Sequence, residues 1–462
     1  MMTAPPSGSR LPEHRTSYPA VAVRPSEERR SEPARRSERI ARRSRLGNLF
    51  GALGLLVLGA AGLALAGGRA RQGGTLGVCL VAKTTEADPL YADTPTDAAA
   101  LMLTRTPLCR LAELSRPSPS VLRLTLLPGV PASMVAAQIR AALAESSPYR
   151  SLLPGLTRVA EAKGAVELVG AQPDAERVLC HPAFAVPLGP FKGSGPELVA
   201  VAELPEGRPY LDGVSLTVAD ARGAERLLAQ RRVQLVLGST QSDEGPQLFV
   251  LTLVLPPALG PHLRQALDAA VDRADLVRFF LRAPASPMPG LLPPALGGTT
   301  ALPTPAPRPA PRSPAREVSL LFDDSAGDQR AIAERLQVKL QPLGYRVALK
   351  GLGRKALKSH VQADDELMLV AVLVPPSPLG ALLVMLDVAQ ARERIAPLLG
   401  ALTSSPELDA RVREQATALL PQLSLWPVAT RGLGITQGRE VQHLTRDPLG
   451  LPRLDDAFFA PE

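Results

Sequence analysis

The most informative stretch of the sequence is LRQALDAAVDRADLV, residues 263–277. Its apolar residues recur at steps of three and four, from Leu263 and Leu267 through Val271 to Leu276. This spacing places them on one face of a helix. It predicts one helix over residues 261–280 that packs its apolar face against a core.

The segments on either side alternate between strand and helix patterns. A segment with eleven Pro in 33 residues, 284–316, follows the helix; it is expected to be extended and solvated, because proline lacks a backbone N–H donor. The other patterns predict an α/β fold that contains β-α-β units with parallel strands. Strands are predicted at 75–82, 121–127, 213–218, 234–237, 318–322, 345–352 and 366–374, and helices at 132–143, 221–231, 328–343 and 355–361.

Several short motifs, in order along the chain, carry a resemblance to a known family. They are GGTL at 73–76, LLPGV at 126–130, GPFK at 189–192, GRPYLD at 207–212 and the 263–277 helix. Their wording and order resemble the extracytoplasmic solute-binding proteins of ABC importers, in the peptide, dipeptide and nickel-binding group called family 5. The resemblance covers roughly residues 73–459.

The resemblance implies a bilobal periplasmic-binding-protein-like α/β fold, type II in its family 5 variant. Lobe I is expected at 72–250, with an inserted subdomain near 113–185. Lobe II is expected at 251–425 and contains the Pro-rich loop 284–316, and residues 426–462 are expected to return to lobe I. The chain departs from the family after Val130, where residues 130–133 run straight into a helix and a loop is missing.

Charge and hydropathy predict that the main domain lies on the periplasmic side of a membrane. Residues 1–45 hold eleven Arg against five Glu, whereas residues 46–68 carry no charge and are long enough to cross a bilayer. The excess of Arg before this span places the N-terminus in the cytoplasm. We therefore expect a disordered Arg-rich cytoplasmic arm at 1–45, a single-pass inner-membrane helix at 46–68 and a periplasmic main domain. A cleaved signal sequence ending near Ala64-Leu65-Ala66 is the alternative.

Few residues point to chemistry. The chain lacks the sequence motifs of serine hydrolases, zinc proteases and phosphate-binding loops, so no enzyme activity, catalytic residue, metal ligand or cofactor is expected. The five His are single and scattered, and each is interpreted as a surface or capping residue. Asp323-Asp324, Asp364-Asp365 and Asp455-Asp456 are interpreted as solvated turns. Cys79, Cys109 and Cys180 are compatible with three buried thiols or with one disulfide, of pairing unknown.

The binding site is harder to place. Aromatic residues make up only 3% of the chain, which argues against a stacking surface for single-stranded nucleic acid, and no nucleic-acid partner is expected. The ligand-binding residues stay unknown, and Trp426, the only Trp, is a weak candidate for a pocket wall, with a core or hinge position as the alternative.

The family resemblance implies a solute-binding protein that delivers a peptide or related small solute to an ABC permease, and the predicted span at 46–68 would anchor it in the membrane. The alternative is a non-transport sensor or scaffold that keeps the fold with a degenerate pocket.

Overall fold

Two six-stranded sheets organise this computed structural model, which describes residues 73–82, 88–239, 245–281, 284–301, 316–402 and 407–460. The predicted arm at 1–45 and the predicted span at 46–68 lie outside these residues. Among the helices that the structure describes, none is both long and apolar enough to cross a membrane.

The strands of the three larger sheets are β1 (Thr75–Leu80), β2 (Ala112–Ser118), β3 (Val121–Leu126), β4 (Arg158–Ala162), β5 (Ala165–Val169), β6 (Phe191–Lys192), β7 (Glu197–Ala200), β8 (Gly213–Val218), β9 (Leu235–Leu237), β10 (Phe249–Val254), β11 (Ala285–Pro287), β12 (Arg316–Asp323), β13 (Tyr345–Leu352), β14 (Glu366–Leu373), β15 (Leu425–Arg431) and β16 (Ile435–Gln437).

The α-helices are α1 (Pro95–Met102), α2 (Leu108–Leu111), α3 (Ala132–Ala142), α4 (Ala175–Val178), α5 (Ala221–Ala229), α6 (Gly260–Ala270), α7 (Arg273–Phe280), α8 (Gly327–Leu340), α9 (Arg354–Ser359), α10 (Pro378–Val388), α11 (Ile395–Leu402) and α12 (Leu408–Leu419).

The first sheet, with its helices, is lobe I, and its strand order is β16-β9-β1-β8-β7-β6. β1 pairs in parallel with β8 on one side and β9 on the other, as the β-α-β pattern predicts. Because the central strands are parallel, the segments that leave the carboxyl ends of β1 and β9 lie side by side at one edge of the sheet.

The second sheet forms lobe II in the order β11-β15-β10-β14-β12-β13. Its β12 pairs in parallel with β13 and β14, whereas β10 and β15 run antiparallel to their neighbours. One face packs on α6, α7 and α8 through an apolar cluster that includes Leu253, Leu320 and Leu369. All six residues of β10 are buried, because helices cover both faces of the sheet there.

In the described part of the chain, lobe I is left after β9 and is entered again after β15. These two places are in contact, because the backbone N–H groups of Gly238 and Ser239 both donate to the Gly434 carbonyl, at 2.8 and 3.1 Å. Gly238 has φ +86°, and a Cβ atom there would lie 3.0 Å from Thr96 Oγ1. A glycine is therefore required where the chain leaves β9.

The return to lobe I differs from the predicted boundary. We expected it to begin at residue 426, but β15 extends to Arg431 and is a central strand of the lobe II sheet. The crossing takes place at residues 432–434, before β16 joins β9.

A four-stranded antiparallel sheet, β2-β3-β5-β4, forms a subdomain together with α3. Val135 and Ile139 lie on the buried face of α3. The segment that follows the subdomain contacts lobe II, where Ser377 at the start of α10 donates its hydroxyl to Asp174.

The helix expected over 261–280 is two helices. α6 ends at Ala270, Val271 and Asp272 are extended, and α7 begins at Arg273. The Asp272 carboxylate accepts a hydrogen bond from the Ala274 N–H at 2.8 Å, so Asp272 caps the second helix and stabilises the break. The apolar periodicity continues through the break because both helices pack on the same sheet face.

The Pro-rich segment is only partly as predicted. Residues 284–301 are described, and Ala285–Pro287 pairs with β15 at the edge of the sheet. Met288, Leu291 and Leu292 are buried, which contradicts the expectation of a solvated loop. Proline is tolerated in an edge strand because the missing N–H can face away from the sheet. Residues 302–315 lie outside the described part of the chain.

The cysteines are divided between one disulfide and one thiol. Cys109, in α2, is bonded to Cys180, which follows α4. Cys79 is buried in β1 as a free thiol, and burial raises its pKa. The structure therefore supports the alternative with one disulfide, and this disulfide joins two residues of lobe I.

His181 joins the segment after α4 to lobe II and is fully buried. Its Nδ1 accepts from the Ala183 N–H at 3.1 Å, and its Nε2 donates to the Leu373 carbonyl at 3.0 Å. It is therefore a capping residue, as predicted for histidines in this chain. Burial lowers the pKa of His181 to about 3, so the ring is neutral in the folded protein.

This lowered pKa makes stability depend on pH. The unfolded chain takes up a proton on His181 near pH 6.5, and the folded chain does not. The contribution of His181 to the free energy of unfolding is therefore complete above pH 6.5 and decreases as the pH falls towards 3. Between pH 7.5 and 5.5 the wild type should lose about 1.4 kcal/mol more of its free energy of unfolding than His181→Gln does. The Gln side chain keeps a hydrogen-bond donor but does not titrate. Urea unfolding of both proteins between pH 7.5 and 5.5, followed by circular dichroism, measures this difference.

His262→Gln, at an exposed position, is the control and should keep the wild-type pH slope. A wild-type slope equal to that of His181→Gln would contradict the role of His181.

Candidate functional site

The candidate site is a cavity of about 470 Å³ between the two lobes. It lies where the chain leaves the carboxyl ends of β1, β9 and β12, which is the usual place for ligands in α/β folds. Lobe I contributes Val81, Ala82, Thr94–Asp97, Gly238, Ser239 and Gly434, and lobe II contributes Phe279, Phe280, Pro284, Ser325–Asp328, Ala331, Arg354, Arg431 and Gly432.

The lobe I wall begins with the first turn of α1. Thr94 caps this helix, because its Oγ1 accepts from the Asp97 N–H at 3.1 Å. The same hydroxyl donates to Asp97 Oδ2 at 2.7 Å. Asp97 is buried, and these contacts hold its carboxylate at the edge of the cavity.

Arg354 is the cation that faces Asp97 from lobe II. Its guanidinium contacts Asp97 Oδ2 at 2.5 Å and donates from Nε to Asp323 Oδ2 at 2.8 Å. Burial alone would lower the pKa of Arg354, but the Asp97 and Asp323 carboxylates outweigh it and raise the pKa. Arg354 is thus a permanent cation held between two carboxylates, one from each lobe.

A second ion pair lines the cavity beside the crossover segment. Arg431, the last residue of β15, contacts Asp328 Oδ2 at 2.5 Å, and both side chains are partly open to the cavity. Asp328 lies in the first turn of α8, where a negative charge is favoured by the helix dipole. This pair offers a cation and a carboxylate side by side.

Ser239 contributes a buried hydroxyl to the cavity wall. It is 8% exposed, and its Oγ has no hydrogen-bond partner among the residues that the structure describes. It lies where the cavity meets a neighbouring, more apolar one of about 360 Å³ next to α5. A buried hydroxyl without a partner costs free energy unless a ligand or water satisfies it.

Two phenylalanines close the apolar side of the site at the end of α7. Phe280 is half-buried, and Phe279 is 64% exposed at the mouth. They give the cavity aromatic surface although aromatic residues are scarce in the chain as a whole.

Trp426 does not line this cavity. Its side chain is fully buried in the lobe II core. The indole Nε1 donates to Asp268 Oδ1 at 2.8 Å, and the Arg273 guanidinium stacks over the ring at 4.3 Å from its centroid. The structure thus supports the core alternative for Trp426.

One expectation about charged residues is wrong. Asp323 is 2% exposed and binds Arg354, so the Asp323-Asp324 pair is not simply a solvated turn. The position of Asp323 at the carboxyl end of a predicted parallel strand was the signal that could have identified it.

The other residues of the site had weaker signals. Asp328 and Ser325 also follow that strand, and Ser239 follows a shorter one, whereas Arg354 and Arg431 had no distinguishing pattern. Within the described part of the chain, no group of three or more His, Cys, Asp or Glu residues is arranged to hold a metal ion.

No protein-family model matches the chain, and no curated protein sequence is detectably similar to it. Solved structures, in contrast, share its fold. The periplasmic binding protein DppA of Helicobacter pylori, in complex with the peptide STSA, has a TM-score of 0.67 at 13% identity, and the match covers 84% of this chain and 98% of DppA.

NikA from Staphylococcus aureus, in complex with Ni(L-His)2, has a TM-score of 0.62 at 14% identity and covers 84% of this chain and 100% of its own. MoaA from A. tumefacien R10, in complex with mannopinic acid, has a TM-score of 0.64 at 14% identity, covering 85% and 100%. This chain has the α/β fold of ABC-importer solute-binding proteins, and the recognised resemblance is confirmed as one of fold. Of these neighbours, DppA is described as a periplasmic binding protein associated with an ABC transporter.

The position of Trp426 gives a prediction. Trp426→Ala should lower the free energy of unfolding by about 3–5 kcal/mol, because it removes a large buried side chain and leaves a cavity. Trp426→Phe should cost less and leave the affinity for any cleft ligand unchanged. Urea unfolding followed by circular dichroism measures the first effect and calorimetry the second.

Val338→Ala, on the exposed face of α8, is the control and should be nearly neutral. If Trp426→Phe lost affinity for the ligand without losing stability, that result would show that Trp426 contributes to the binding site.

Proposed function

We propose that the chain is a solute-binding protein of the ABC-importer type, which holds a small peptide or related small solute in the interlobe cavity and delivers it to an ABC permease. The observation that carries this proposal is a cavity between two α/β lobes at the carboxyl ends of their strands. The buried Ser239 hydroxyl in its wall has no partner within the described ranges of the chain. A volume of about 470 Å³ is within the usual range of small-molecule sites.

The composition of the cavity supports a small zwitterionic ligand. A ligand carboxylate can join Arg431, and a ligand ammonium can join Asp328, without leaving either partner of the pair unpaired. Ser239 can donate to a ligand carbonyl, and the Phe279 and Phe280 rings can cover an apolar side chain. A short peptide carries all of these groups.

We propose further that residues 46–68 anchor the protein in the inner membrane with residues 69–462 on the periplasmic side. The support is the uncharged 23-residue run and the eleven Arg that precede it. An anchor would keep the binding domain close to its permease.

A second candidate is the sensor or scaffold role, in which the cleft no longer exchanges ligand. The observation that favours it is that the charged residues lining the cleft, Asp97, Asp328, Arg354 and Arg431, already pair within the chain. The two candidates differ in whether a soluble peptide binds.

Calorimetric titration with a set of dipeptides and tripeptides tests the binding role. Binding should occur with micromolar or tighter affinity and a negative heat-capacity change, because apolar surface is buried. Ser239→Ala should weaken it about tenfold, since it removes one hydrogen bond to the ligand. Peptides acetylated at the amino terminus or amidated at the carboxyl terminus should bind more weakly.

Ser194→Ala, in an exposed loop of lobe I, is the matched control and should bind like the wild type. If a folded protein gives no heat with any of these peptides, the importer role is wrong and the scaffold role is favoured.

The membrane topology is tested in spheroplasts. Added protease should digest residues 69–462 and spare an epitope tag at the N-terminus, because the positively charged arm stays inside. Digestion of the tag as well, or release of an intact domain into the medium, would show that the chain is not anchored in this way.

A further inference from the structure

The short helix α9 of lobe II presents three cations to a segment of lobe I with three carboxylates. Arg354, Lys355 and Lys358 lie on α9, and Asp88, Asp93 and Asp97 lie in residues 88–97, which follow β1. Each cation has one of these carboxylates as its partner across the lobe boundary. We call these six residues the interlobe latch.

The pair between Lys358 and Asp93 is the most deeply buried. The Lys358 ammonium contacts Asp93 Oδ2, and the two side chains are 6% and 1% exposed. The Tyr149 hydroxyl donates to Asp93 Oδ1 at 2.7 Å, and the ammonium lies 5.3 Å from the centre of the Tyr149 ring. The opposite charges of a buried carboxylate and a buried ammonium thus compensate each other across the lobe boundary.

The other two pairs extend the contact on both sides. Arg354 bridges Asp97 and Asp323 and also donates to the Tyr91 carbonyl at 3.2 Å. At the rim, the Lys355 ammonium lies 3.8 Å from Asp88 Oδ2 and 5.2 Å from the centre of the Tyr91 ring. The contact therefore runs from solvent to the wall of the ligand cavity.

We propose that this latch holds the lobes closed in the absence of ligand. In a two-lobed binding protein, closure requires contacts that exist only when the lobes meet, and a ligand in the cleft commonly supplies them. Here the chain itself supplies them next to the cleft. The latch goes beyond the proposed function, because it operates whether or not a peptide binds.

Distance measurement by double electron–electron resonance on the full-length chain in detergent micelles tests the latch. Spin labels on Val199→Cys in lobe I and Val338→Cys in lobe II report the separation of the lobes, since both positions are exposed. Without peptide, the labelled protein with the wild-type latch should give one narrow distribution of label-to-label distances. Addition of the dipeptides and tripeptides should not shift this distribution to shorter distances.

The variant Asp93→Asn with Lys358→Met should add a population at longer distance. Asn keeps an acceptor for Tyr149, and Met keeps the apolar stem, so no buried charge is left alone. The matched control is Asp268→Asn with Arg273→Met, a pair within lobe II in which Arg273 is buried and Asp268 is half-buried, and it should keep the narrow distribution.

Two results would overturn the proposal. One is a wild-type protein whose distance distribution is broad without peptide and shortens when peptide is added. The other is a folded latch variant with the wild-type distribution. The wild-type measurement does not depend on the folding of the variant, and a lack of peptide binding in calorimetry leaves the prediction for the ligand-free protein unchanged.

Discussion

Arg354 is the residue on which the relation between the two lobes depends, because it binds a carboxylate from each of them. Removing one partner from a buried ion pair costs about 3–5 kcal/mol, since the remaining charge is left uncompensated in a medium of low dielectric constant. Asp323, in lobe II, and Asp97, in lobe I, must therefore both stay within contact distance of one guanidinium. This requirement fixes the turn after β12 against the first turn of α1, and the cavity lies between them.

The same requirement shapes the chemistry that the cavity offers. Arg354 and Asp97 are occupied with each other, so a ligand that entered the cavity would meet the more exposed pair, Arg431 and Asp328, and the Ser239 hydroxyl. The solved neighbours carry a peptide, Ni(L-His)2 and mannopinic acid in the same fold, which shows that the fold does not determine the ligand. Any specificity of this cavity would therefore depend on the few polar groups that the ion pairs of this chain leave accessible.

Much of the fold could be predicted because strand and helix patterns are local, and β8 and β13 have their predicted bounds. The predictions were wrong where tertiary contacts outweighed a local pattern. The Pro-rich segment 285–292, for example, forms an edge strand and a buried turn because it packs beside β15. Most of the candidate site could not be predicted from the sequence, because its ion pairs join residues that are far apart along the chain. Arg354 and Asp97 are separated by 257 positions, and Arg431 and Asp328 by 103. No periodicity or spacing connects such residues before the topology is known.

The latch also bears on how the two candidate functions differ physically. Shifting a two-lobed protein from 1% to 99% closed requires about 5.5 kcal/mol of differential free energy, and a ligand that binds both states equally shifts nothing. When the chain supplies that free energy through its own ion pairs, closure no longer reports that a ligand is present. A permease that recognises the closed form would then meet it whether the cavity is filled or empty, so an importer with this latch needs its permease to open the lobes. A sensor or scaffold has no such need, because for it a permanently closed pair of lobes is simply a rigid surface.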